Sequence, residues 1–107
     1  GIASALKKAR LISPPDVFIQ IEVESSQELQ IALNAGANMI LLDNFGFDQL
    51  RDAVKFTRQK SGKHVMLEAS GNITLENVRN VAVTGVDRIS IGSLTKDIKA
   101  IDFSMRF

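Results

Sequence analysis

Carboxylates and small polar residues recur at the ends of apolar runs in this chain, and those are the places where chemistry is to be sought. Glu22 and Glu24 end Ile19-Gln20-Ile21-Glu22-Val23-Glu24. Asp43 ends Met39-Ile40-Leu41-Leu42-Asp43. Glu68 sits inside Met66-Leu67-Glu68-Ala69-Ser70. Ionised carboxylates taken from water are costly unless paired. If these converge, they need a cation, a Lys or Arg partner, or hydroxyl donors. Ser70-Gly71-Asn72 follows one apolar run and Gly92-Ser93-Leu94-Thr95-Lys96 follows another. Main-chain N–H groups, hydroxyls, an ammonium and a nearby helix start are anion-holding groups. Carboxylates beside such loops suit a phosphorylated sugar, with phosphate at one end and hydroxyls or a metal at the other.

Plainer readings stand beside these. Glu24 reads as a solvated strand end. Glu22 also fits a structural ion pair, Asp43-Asn44 a simple turn, and the two glycine loops ordinary connections. His64, next to Gly62-Lys63, reads as an exposed loop residue rather than a base.

The elements that would position these groups are legible from period and punctuation. Ile2 to Leu11 reads as a helix, stopped by Ser13-Pro14-Pro15-Asp16. Val17 to Glu24 reads as a strand whose second half alternates, Ile19, Ile21 and Val23 against Gln20, Glu22 and Glu24. Ser25 and Glu28 have capping-box spacing for a helix to about Asn34, stopped by Gly36. Residues 38–43 form a second strand, apolar on both faces until Asp43, as in a covered parallel sheet. A helix from Phe47 to about Lys60, ended by Ser61-Gly62, leads to a strand at residues 64–69. Thr74 is placed to cap a helix through about Val83, Gly85 ends it, and residues 87–91 form the fourth strand. Gly36-Ala37-Asn38 and Gly85-Val86-Asp87 repeat one helix-stop pattern.

Strand, helix, glycine stop, strand is the grammar of an α/β fold with parallel strands. Strand starts recur at roughly 20 to 26 residues, which suits barrel and doubly wound sheets alike. A closed eight-stranded barrel needs about 250 residues, so four such units make only part of one. On one face Glu22, Glu68 and small residues would meet, with Asp43, Ser70, Gly71 and Gly92 at the C-terminal strand ends where ligands of these folds bind.

Composition narrows the classes. The 107 residues are 45% hydrophobic and 23% charged, a globular balance. Thirteen basic against twelve acidic residues, net +1, give no nucleic-acid surface. Cysteine is absent, which excludes disulfides, thiol nucleophiles and Cys-based zinc sites. No apolar run approaches the roughly 18 residues of a membrane helix. The chain opens on Gly1 directly into a helical pattern, so the expectation is a piece of a longer protein, with open sheet edges that favour association.

Ile21-Glu22-Val23-Glu24, Leu41-Leu42-Asp43-Asn44, Leu67-Glu68-Ala69-Ser70-Gly71 and Ile91-Gly92-Ser93-Leu94-Thr95 stand in an order and spacing that resemble the C-terminal part of nicotinate-nucleotide pyrophosphorylase, or quinolinate phosphoribosyltransferase. The resemblance runs over essentially the whole chain, to Ile101-Asp102-Phe103-Ser104. It implies part of an incomplete α/β barrel. It further implies an enzyme that joins quinolinate to phosphoribosyl pyrophosphate with magnesium, releasing pyrophosphate and carbon dioxide to give nicotinate mononucleotide. That places it in cytoplasmic NAD biosynthesis, as a homodimer or higher assembly.

By that resemblance Glu22 and Asp43 are the acidic pair at the ribose hydroxyls and the magnesium. Glu68 is a carboxylate deeper in the pocket. Ser70, Gly71, Asn72, Gly92, Ser93 and Lys96 are the 5′-phosphate residues. Asn72 stands where the family usually has Gly, Lys96 where it usually has His, and Gln20 replaces a common acid. The basic residues that grip quinolinate are expected upstream of Gly1, one of them from a partner subunit, so the 107 residues alone are expected to be inactive. Two other readings stay open: another barrel enzyme handling a sugar phosphate, such as the pyrophosphorylase-like protein linked to molybdenum transport, and a non-catalytic association fragment.

Overall fold

A computed structural model describes residues 1–12, 20–62, 64–91 and 94–97. The elements run α1 (Ile2–Ile12), β1 (Gln20–Val23), α2 (Ser26–Asn34), β2 (Met39–Asp43), α3 (Phe47–Ser61), β3 (Met66–Ser70), α4 (Val78–Ala82), β4 (Arg88–Ile91) and β5 (Leu94–Asp97). The strands pair in chain order, β1-β2-β3-β4-β5. The first four are parallel. An order that never reverses is singly wound, which resolves the choice the sequence left open in favour of an open, barrel-like sheet.

Helix starts and stops follow local chemistry. Ser25 caps α2, its Oγ accepting from the Glu28 N–H at 3.2 Å. The Glu28 carboxylate accepts from the Glu24 N–H at 2.7 Å, one residue before the cap. Gly36, Gly62 and Gly85 end α2, α3 and the α4 turn with φ of 86°, 63° and 98°, a region costly for residues with a Cβ.

Register sorts the side chains. Ile21 lies beside Ile40, Ile40 beside Leu67, and Ala69 beside Ile89. With Val23 and Leu42 these residues face the helices, meeting Leu29, Leu33, Leu50 and Val81 in one core. Ile40, Leu42, Leu67 and Ile89 are fully buried, each contributing about 1.5–3 kcal/mol. Helices α1 to α4 pack in sequence as neighbours. The opposite face has no helix over it among the described residues. For that reason β2, expected to be covered on both sides, alternates between buried and half-buried.

Two expectations are corrected. The helix expected from Thr74 begins only at Val78 and has five residues. Thr74 does act as the expected cap: its N–H donates to Asn77 Oδ1 at 2.9 Å, its Oγ1 accepts from the Asn77 N–H at 3.3 Å and its carbonyl from the Val78 N–H at 2.9 Å, the reciprocal exchange of a capping box. Leu94–Asp97, read as part of a strand-end loop, is instead a strand antiparallel to β4. Residues 98–107 lie outside the described residues, so the short strand or tail expected there does too.

The repeated helix-stop pattern has a structural use at its second copy. Asp87 Oδ2 accepts from the Leu67 N–H at 2.9 Å and pairs with Arg58 Nη2 at 2.6 Å. Arg58 Nη1 donates to the Val65 carbonyl at 2.6 Å. One carboxylate and one guanidinium thus join the end of α3 to the starts of β3 and β4. Asp87→Ala leaves the Leu67 N–H and the Arg58 charge unpaired. It is expected to lower stability by about 2–4 kcal/mol, read from the urea midpoint of the full-length protein.

Candidate functional site

The uncovered face carries the chemistry, and register arranges it in levels. Gln20, Met39 and Met66 lie at the start of the strands. Glu22, Leu41, Glu68 and Arg88 are aligned across the middle, and Asp43 stands beside Ser70 at the C-terminal end. Polarity therefore rises along the strands, from two methionines to a carboxylate and a hydroxyl.

Three carboxylates meet at one edge of this face. Oxygens of Glu22, Glu24 and Asp43 lie within 4.8 Å of one another. Glu22 and Glu24 are exposed and Asp43 is half-buried. A hydrogen bond to Asp43, then Asp43's charge, pushes the Glu22 carboxyl above its ordinary value of 4.5, with smaller contributions from desolvation and Glu24. Carboxylates that close repel when ionised, and a divalent cation relieves that repulsion with oxygen ligands of the kind magnesium takes. The donor set thus fits a metal. Glu24, read from sequence as a merely solvated end, is exposed but belongs to the cluster.

Glu68 is a different kind of carboxylate. It is 8% exposed. Ser90 Oγ donates to its Oε2 at 2.6 Å, and Arg88 Nη1 approaches its Oε1 at 3.6 Å. Both oxygens are engaged, so the charge is balanced within the sheet. Arg88 was missed by the sequence reading, although it shares the parity of Ser90 on the same strand.

The loop after β3 is built against the end of β2. Ser70 Oγ donates to Asp43 Oδ1 at 3.1 Å, and the Asn44 N–H donates to the Ser70 carbonyl at 3.0 Å. Gly71 has φ of 85° and Asn72 of 52°. Asn72 therefore holds a backbone shape that suits glycine, and Asn tolerates it best among residues with a side chain. A cleft of about 250 Å³ opens here, lined in part by Asn44, Gly46, Ser70, Gly71 and Asn72. Neither this cleft nor a larger one, about 450 Å³ between α2 and α3, is lined by the strand-face carboxylates. Helix α4 begins seven residues after Gly71, so the helix N-terminus expected beside this loop is not there. Gly92 and Ser93 lie outside the described residues. Lys96 lies in β5, opposite Ile89. His64 is exposed, as expected.

Fold and site together define a barrel-type βα module, singly wound, with an acidic centre and a glycine loop at the C-terminal ends of its strands. Comparison with known proteins shows the family. The chain belongs to the family described as "Quinolinate phosphoribosyl transferase, C-terminal domain", which matches residues 1–106. It is 40% identical over 105 residues to a probable nicotinate-nucleotide pyrophosphorylase [carboxylating] of Bacillus subtilis, covering 98% of this chain and 35% of that protein. It is 35% identical over 106 residues to the Homo sapiens enzyme of that name, covering 99% of this chain and 35% of that protein. The Francisella tularensis nicotinate-nucleotide pyrophosphorylase structure superposes with a TM-score of 0.77 at 39% identity, over 87% of this chain and 31% of that one. The chain thus spans about a third of the length of these relatives.

The pH dependence of the acidic centre has a definite sign. Because the folded state raises the Glu22 pKa, it binds a proton there more readily than the unfolded chain does. Stability from this residue is fully present below about pH 4.5 and falls as pH rises through the raised value. Glu22→Gln is expected to be more stable than the parent sequence near pH 8 and no more stable near pH 4. Millimolar magnesium should narrow the difference near pH 8. Urea unfolding of the full-length protein at the two pH values, with and without the metal, measures it.

Proposed function

We propose that the protein containing this chain transfers the phosphoribosyl group of phosphoribosyl pyrophosphate to quinolinate, releasing pyrophosphate and carbon dioxide to give nicotinate mononucleotide for NAD biosynthesis. The observation that carries the reading is the bonded junction of Asp43 and Ser70, where an acidic centre and a glycine loop meet in a chain of this family. Residues 1–107 are the C-terminal part of its α/β-barrel domain.

In this reading Glu22 and Asp43 face the ribose hydroxyls. Their negative charge stabilises the oxocarbenium-like centre that develops at the anomeric carbon as pyrophosphate leaves. Glu22 and Asp43 would hold magnesium, which would supply charge neutralisation for the leaving pyrophosphate. Glu68 completes the pocket floor, its own charge balanced by Arg88 and Ser90. Main-chain N–H groups of Ser70, Gly71 and Asn72 receive the 5′-phosphate; Lys96, expected at that site, instead lies in β5 opposite the helix-facing Ile89.

No basic cluster fit to hold two carboxylates lies on the described open face, where Arg88 is engaged by Glu68. As the family resemblance implies, grip on quinolinate in this reading comes from the rest of the longer protein and a partner subunit, in a homodimer or higher assembly in the cytoplasm.

The test is direct. The full-length protein with quinolinate, phosphoribosyl pyrophosphate and magnesium should yield nicotinate mononucleotide. Asp43→Ala and Glu22→Ala should each lower kcat/KM by about 100-fold or more. No product from the unaltered protein overturns the reading.

A further inference from the structure

The turn at the end of β2 contains a residue that the proposed chemistry does not use. Asn44 follows Asp43 and has φ of 58°. Among the described residues only Asn44 and Asn72 combine a side chain with positive φ. That conformation is unfavourable for most residues, and Asn is tolerated because its short amide bonds locally. Here the amide bonds not to its own strand but to the loop after β3.

Three contacts tie Asn44 to that loop. Its N–H donates to the Ser70 carbonyl at 3.0 Å. Its Oδ1 accepts from Asn72 Nδ2 at 3.2 Å. Gly71 lies so close that a Cβ there would fall 2.2 Å from Asn44 Oδ1 and 3.0 Å from Asn44 N. Gly71, at φ 85°, is therefore required twice, by its own conformation and by the amide packed on it. On the far side Asn77 Nδ2 donates to the Asn72 carbonyl at 2.9 Å. The loop is held between two asparagine amides.

The same loop touches the acidic centre through Ser70 Oγ and Asp43. Asn44 thus sits where the spacing between Asp43 and the Gly71–Asn72 backbone is set. Its amide is exposed, and an exposed hydrogen bond adds little to overall stability. What it fixes is position.

We propose that Asn44 is a positioning residue that sets the distance between the ribose-facing carboxylate of Asp43 and the phosphate-receiving loop Ser70-Gly71-Asn72. The proposal rests on the phosphoribosyl reading above. A ligand that spans both, phosphate at one end and ribose hydroxyls at the other, is gauged by that distance. A ligand that touches only the rest of the pocket is not.

The test separates position from folding. In the full-length protein, Asn44→Gly keeps the positive φ and removes the amide. The KM for phosphoribosyl pyrophosphate should rise about five-fold, the loss expected for one neutral hydrogen bond. The inhibition constant of inorganic phosphate against that substrate should change little, because phosphate alone reaches the loop but does not span to Asp43. The KM for quinolinate, kcat and the urea midpoint should stay close to those of the unaltered protein. Asn72→Gly removes the other half of the bond and should raise the same KM. The double variant should match Asn44→Gly rather than multiply the two effects, because both act through one contact.

An unchanged KM for phosphoribosyl pyrophosphate in Asn44→Gly overturns the proposal. So does a uniform decline of all constants with a lowered urea midpoint, or multiplication of the two effects in the double variant. Should Asn44→Gly fail to fold, Asn72→Gly alone decides, with an unchanged KM counting against the proposal. Absence of product from the unaltered protein instead removes the phosphoribosyl reading, so the two failures are told apart.

Discussion

Everything at the polar face depends on the register of a parallel ladder covered by helices on one side. Side chains alternate along each strand, and parallel neighbours in register point the same way. Ile40, Leu67 and Ile89 must all meet the helices to bury their surface. Once they do, Glu22, Asp43, Glu68, Ser70 and Arg88 have only the other face left. A slip of one residue would put carboxylates into the helix layer, at a cost no local contact could offset. The hydrophobic layer therefore places the chemistry without touching it.

The two ends of the sheet solve different problems. At the N-terminal end Arg58, Asp87 and the main chain of Val65 and Leu67 form a closed set of bonds, with each charge paired. At the C-terminal end like charges are gathered, and the Glu22 carboxyl holds its proton more tightly because Asp43 is beside it. The paired end holds α3 to the sheet, and the repelling end is suited to bind. This division matches barrel folds in general, where one face of the strands carries stability and the other function. Glu68 lies between the two cases. It sits low enough on the face to be buried, and Ser90 and Arg88 balance it there.

The loop after β3 shows how a short helix can follow from local bonds. Thr74 and Asn77 exchange hydrogen bonds across a closed turn, and Asn77 also reaches back to the Asn72 carbonyl. Helix α4 follows this capped turn, from Val78. The main chain from Ser70 to Asn72 is thus shaped by Asn44 and Asn77 rather than by a helix dipole. A phosphate held here would rely on individual N–H groups at fixed positions, which makes the fixing contacts as consequential as the donors.

The sequence by itself determined the features that depend on neighbours along the chain. Ser25 and Glu28, the stops at Gly36, Gly62 and Gly85, and the alternation through Glu22 are local, because caps, left-handed glycines and strand period act within a few residues. The family was legible too, because short motifs on successive strand ends keep their order and spacing. Only the tertiary structure decided what involves residues distant in sequence. It showed that the strands wind one way and pair in order. It joined Glu68 to Arg88 and Ser90, and Asp43 to Ser70. It gathered Glu24 into the acidic centre and gave Asn44 its hold on Gly71 and Asn72. Thr74 caps, as its local spacing to Asn77 allows, but the short span of α4 after it appears only in the assembled structure. Leu94–Asp97 became a strand because β4 offered it an open edge, and an edge exists only once the sheet is assembled.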